Sequence, residues 1–168
     1  MKQANIPSGA SLSSLYRELS GDYPKFFKMD VVSKLGFLLT EMLVGDEQGR
    51  FVQREDRAVL VFSREGCVAN DRHYAQSMQD FPSPALFVYT LPNIVAGEIA
   101  IRNKWAGERS AYVLESFDPE IIKELVKEAF QDSVTESAVV AWIDCPSDEA
   151  WDARAWLIER NEIDIWKI

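Results

Sequence analysis

Residues 81–118 read F-P-S-P-A-L-F-V-Y-T-L-P-N-I-V-A-G-E-I-A-I-R-N-K-W-A-G-E-R-S-A-Y-V-L-E-S-F-D, and three elements follow from them in order. Leu91 to Lys104 has the pattern of a mostly apolar helix, with Pro92 in the first turn, where a missing N–H costs little. Beyond Gly107, Ser110 to Leu114 is a short apolar run that reads as a strand, expected at the centre of a sheet. Asp118-Pro119-Glu120 then opens a second helix, with a carboxylate at the N-cap, proline at N1 and an acid in the first turn. That helix runs to about Phe130 and turns Ile121, Ile122, Leu125, Val126 and Ala129 inward.

Working outward, Asp30 to Leu43 places Val31, Leu35, Leu38, Leu39, Met42 and Leu43 at helical spacing, a stripe that faces a core. Ala58 to Phe62 and Ala138 to Ile143 are continuous apolar runs of the kind buried on both faces of a sheet. Ser11 to Leu19 is a short helix capped by Ser11, and Asp71 to Gln79 another, opened by Asn70 or Asp71. Asp152 to Glu159 and Ile163 to Ile168 alternate and read as strands, the last as an edge strand. Residues 1–10 read as a loose lead-in, extending at most over 1–20. The expected architecture is a layered α/β domain with a mixed sheet, spanning residues 1–168 as one unit.

Composition narrows the function classes. The 168 residues are 47% hydrophobic, enough for a substantial core. Acidic residues outnumber basic ones 27 to 18, and the net charge of −9 repels phosphate backbones and anionic lipid, so neither nucleic acid nor a membrane is an expected partner. No apolar run approaches the roughly 20 residues of a membrane span. The polar start has no secretory pattern, and a cytoplasmic setting is expected. Cys67 and Cys145 lack C-x-x-C spacing and read as reduced packing residues.

Leu91-Pro92-Asn93, Ala96-Gly97, Ile99-Ala100-Ile101-Arg102 and Gly107, followed by the short strand, resemble the approach to the nucleophile in β-ketoacyl synthases (3-oxoacyl-acyl-carrier-protein synthases). Phe27-Lys28-Met29-Asp30 resembles the segment that opens the family's first helix, and Val139 to Asp144 resembles a later strand without its glycine pair. The resemblance covers roughly residues 27–145 and implies one half, the N-terminal half, of a thiolase-like fold. It also implies fatty-acid or polyketide-type metabolism, acyltransferase chemistry without a cofactor or metal, and a dimer in which the strand before the nucleophile pairs across a two-fold axis.

The nucleophile itself is missing. The family cysteine follows the glycine by nine positions, and nine from Gly107 is Ser116. The family's two histidines belong to the other half, and the single histidine here, His73, lies on a polar helix and reads as a surface residue. A condensing enzyme needs a thiolate to carry the acyl group and donors that polarise the second thioester. Glu115 would further disfavour ionisation of a neighbouring nucleophile. Ser116 is therefore the one catalytic candidate, read as inactive, and Asn93, Gly97 and Phe117 are the substrate-pocket candidates. Asp144, Asp148, Glu149 and Asp152 do not have EF-hand spacing and read as a solvated acidic loop.

Three functions follow from the resemblance. The first is a non-condensing accessory subunit, partnered by a second copy or by a complete ketosynthase, that meets an acyl carrier protein only through its partner. The second is an acyltransferase or thioester hydrolase that uses Ser116. The third is an acyl-chain binding module.

Overall fold

Every residue of Arg57–Ser63 (β2) is buried, and the rest of the domain is arranged about that strand. In the computed structural model, which describes residues 1–168, β2 pairs in parallel with Arg109–Val113 (β3) on one side and Ser137–Ser147 (β4) on the other. Ala150–Glu159 (β5) returns antiparallel to β4, and Lys2–Ile6 (β1) closes the far edge antiparallel to β5. The order is β1-β5-β4-β2-β3, a five-stranded mixed sheet.

Alternation along the strands divides the core in two. Val59, Val61, Val139, Ala141, Ile143, Ala153, Ala155 and Leu157 face one layer, formed by Leu12–Leu19 (α1), Val31–Val44 (α2) and Ile94–Asn103 (α5). Ala58, Leu60, Phe62, Ala138, Val140, Trp142, Trp156 and Ile158 face the other, formed by Pro119–Ala129 (α6) and the C-terminal residues around Trp166. Capping sets the start of α6 at Asp118 as expected and that of α2 at Asp30, whereas the helix expected from Leu91 begins at Ile94, beyond Pro92. Ser33 N donates to the Asp30 side chain at 3.0 Å at the head of α2, and Glu120 N and Ile121 N donate to Asp118 at 3.0 and 3.1 Å at the head of α6. Burial holds the Asp30 carboxyl above its ordinary value, against the hydrogen bonds that lower it.

Four further expectations are corrected. β3 lies at the sheet edge, not at its centre, because nothing pairs with its outer side. Residues 2–6 are not a loose lead-in. Ala4 and Ile6 are buried while Gln3 and Asn5 point outward, a short amphipathic strand on β5. With that edge occupied, Ile163–Ile168 cannot add to it, and it is not a strand. After a 3-10 turn at Arg160–Glu162 it folds across α6, with Trp166 2% exposed and packed against Trp156. The polar segment after β2 becomes helical at Val68–Ser77 (α3), three residues earlier than its sequence signals, and Pro84–Val88 (α4) forms a short additional helix capped by Ser83.

Candidate functional site around Ser116

Leu114 N donates to Ser63 O at 2.9 Å, the last bond that holds the chain to β2. Beyond it Glu115 and Ser116 lie exposed in the connection to α6. The Ser116 hydroxyl makes no hydrogen bond within the chain, and the single histidine, His73, is paired instead with Asp148. The α6 N-terminus supplies no substitute for an oxyanion hole, because Asp118 already occupies the N–H groups of Glu120 and Ile121. The outer face of α6, with Glu120, Glu124, Lys127 and Glu128 exposed, is polar, so Ser116 borders solvent and not a second apolar layer.

The pocket candidates do not converge. Asn93 is exposed just ahead of α5 and makes no side-chain cap. Gly97, in the first turn of α5, faces open space: a Cβ there would meet nothing within 4 Å. Phe117 is on the opposite layer, edge-on to Trp142 at 5.2 Å and beneath the Arg154 guanidinium at 4.3 Å. Between α5 and the sheet, where Cys67, Pro92, Val95, Ala111 and Ile143 meet, the free volume is about 10 Å³, room for one water and not for an acyl chain.

His73 is remote from this loop in element and in contacts. Its Nε2 is 3.2 Å from Asp148 Oδ2, at the rim of a cleft of about 230 Å³ that Lys28, Asp30, Asn70 and Tyr89 also line. Asp144 departs from the solvated-loop reading. It is 9% exposed and accepts from Arg64 N at 3.1 Å and Glu65 N at 2.9 Å, which pins the loop after β2. No sequence signal distinguished it from its acidic neighbours, because its partners are backbone groups about 80 residues away. Both cysteines are buried, and desolvation pushes each thiol up to about 12, so neither offers a thiolate in place of the missing one. The described residues contain no cluster of histidine, cysteine and carboxylate groups that could hold a metal.

No protein-family model and no curated protein matches the sequence. Solved structures do match the fold. One is the ketosynthase ApeO in complex with its chain length factor ApeC from Xenorhabdus doucetiae, with a TM-score of 0.67 at 16% identity over 95% of this chain and 77% of the matched one. Another is the ishigamide ketosynthase/chain length factor, with a TM-score of 0.71 at 15% identity over 87% of this chain. Against that second structure the chain spans about half the length, 48%, of the protein it matches. The fold is that of the ketosynthase/chain length factor proteins, and the resemblance seen in Leu91 to Leu114 is a resemblance of fold.

Proposed function

We propose that this chain is a non-condensing subunit of a ketosynthase/chain-length-factor type of assembly, in polyketide or fatty-acid-type metabolism. The observation that carries the reading is at Ser116, where the resemblance implies a cysteine: the residue is exposed, and Asp118 occupies the first free N–H groups of the helix that follows. The solved relatives in fold are ketosynthase and chain length factor complexes, which supports a partnered role for this chain as well. Apolar side chains left at the surface support it further. Met78, Phe81, Phe87, Val88 and Leu91 are all exposed within fourteen residues, a concentration that a chain acting alone has reason to avoid.

The test is a condensation assay with acyl- and malonyl-carrier-protein substrates on the native chain and on Ser116→Cys. Neither is expected to release carbon dioxide or form a β-ketoacyl product. Cysteine restores only the thiolate, and the polarising donors are still unmet. Product from the native chain alone, or a gain on installing cysteine, contradicts the reading.

A further inference from the structure

The cleft of about 230 Å³ beside His73 takes no part in the reading of Ser116, and its own chemistry points to a ligand. Met29, Val32, Ala69 and Leu86 give it apolar walls, contributed by the approach to α2, by α2 itself, by α3 and by α4. Two acceptors line those walls without a matching donor. Asn70 is 4% exposed, and its Nδ2 donates to Leu86 O at 2.9 Å. Its Oδ1 accepts nothing within the chain, yet it is not sealed in the core, and Asn70 opens on the cleft. A nearly buried amide oxygen left without a donor is the kind of group that a ligand N–H completes.

Asp30 is the second acceptor. Its carboxylate accepts from Ser33 N at 3.0 Å at the head of its own helix, and no ion pair neutralises it. Burial holds its pKa above the ordinary carboxyl value, as expected where no close cation compensates the charge. The cations around the cleft are placed elsewhere. His73 is engaged with Asp148 at 3.2 Å, Lys34 holds its Nζ 5.9 Å from the centre of the Phe26 ring, and Lys28 is exposed at the rim. The unmet groups inside are therefore acceptors, which selects a ligand that donates and carries positive charge. An ammonium group does both, with three donors and no acceptor. The net charge of −9 raises the local concentration of such cations. The volume is below the roughly 300–1,000 Å³ of sites for drug-sized ligands, so the hydrocarbon body must be short.

We propose that this cleft binds a small primary amine as its ammonium ion, which donates to the Asp30 carboxylate and the Asn70 Oδ1 while its short hydrocarbon body packs against Met29, Val32 and Leu86. The site stands whether or not the chain condenses acyl groups, because no cleft residue belongs to the Ser116 loop.

Calorimetric titration of the full chain with n-butylamine, at about pH 7.5 and 0.15 M salt, tests it. One saturable site is expected, with a Kd of about 1 mM or tighter. Sodium butyrate reverses the charge and tetramethylammonium lacks an N–H donor, so each should bind at least about tenfold more weakly. Asp30→Asn keeps a capping side chain at the head of α2, so the variant should fold, and it should weaken n-butylamine by about tenfold or more. Glu124→Gln removes the same charge from the exposed face of α6, across the sheet, and should leave the affinity within about twofold. Amide chemical shifts of the native chain should move at Asn70 and Leu86 and stay fixed at Ser116. Absence of saturable binding overturns the proposal, as does butyrate or tetramethylammonium bound as tightly as the amine. Shift changes away from the cleft, or an Asp30→Asn variant no weaker than Glu124→Gln, would mean unspecific attraction to an acidic chain and overturn it equally.

Discussion

Glu41→Ala should lower the stability of the domain by about 3–5 kcal/mol, with a fall in melting temperature of roughly 10 °C or more for a chain of this size. Glu41 sits in α2 with its side chain 2% exposed and serves two arginines. Arg50 forks onto both carboxylate oxygens, and its Nε donates to Asn103 Oδ1 at 2.7 Å. Arg102 reaches the same carboxylate with its Nε at 3.2 Å and Asp22 with a terminal nitrogen at 2.7 Å. Removing Glu41 leaves Arg50, itself 7% exposed, with a neutral amide as its remaining side-chain hydrogen-bond partner, and a buried uncompensated charge is far more costly than the net worth of the pair. Breaking the exposed Lys2–Asp46 pair by Lys2→Ala should cost well under about 1 kcal/mol. Urea titration of the two variants measures the contrast. A loss below about 1 kcal/mol for Glu41→Ala would mean that the arginines find water or other acceptors, and that the network does not hold α2, α5 and the Arg50 loop together.

Gly107→Ala should be nearly as damaging, and Gly97→Ala should have the opposite sign. A Cβ on Gly107 would lie 2.4 Å from Arg57 O and 2.6 Å from Glu55 O, backbone atoms at the mouth of β2 that cannot rotate aside. The expected cost is about 3 kcal/mol, since the start of β3 must shift to relieve it. Gly97 belongs to the same motif but lies inside α5 with nothing within 4 Å of its missing Cβ, so alanine there should stabilise by up to about 1 kcal/mol through helix propensity. Equal effects at the two positions, read by the same titration, would contradict the close approach at Gly107.

That pair shows how far the sequence could be read. The spacing of the two glycines carried the family resemblance, but only the fold separates a glycine required by a backbone contact from one that is not. Local chemistry was legible where it is self-contained. The cap at Asp118 and the apolar run Ala58 to Phe62 of β2 depend on near neighbours or on burial from both sides, and they stand as expected. Long-range competition was not legible. β1 and Ile163–Ile168 both alternate, and the edge of β5 accepts only one of them. β1 takes it, while the bulk of Trp166 is better buried over α6. An apolar strand such as β3 looks the same at an edge as at a centre until its neighbours are known. At the candidate site, counting from Gly107 puts Ser116 where the resemblance implies a cysteine. What the count could not reveal is that Asp118 occupies the helix N–H groups and that Asn93, Gly97 and Phe117 are divided between two layers.

The central claim is that the nucleophile position is chemically silent, and intact-mass spectrometry of the chain after incubation with acyl-CoA or acyl carrier protein tests it most directly. The native chain and Ser116→Ala are both expected to remain at the unmodified mass, because the Ser116 hydroxyl makes no hydrogen bond within the chain and Asp118 occupies the first free N–H groups of the helix that follows. A stoichiometric acyl adduct on the native chain that disappears in Ser116→Ala would contradict the account and identify Ser116 as an acyl-carrying nucleophile.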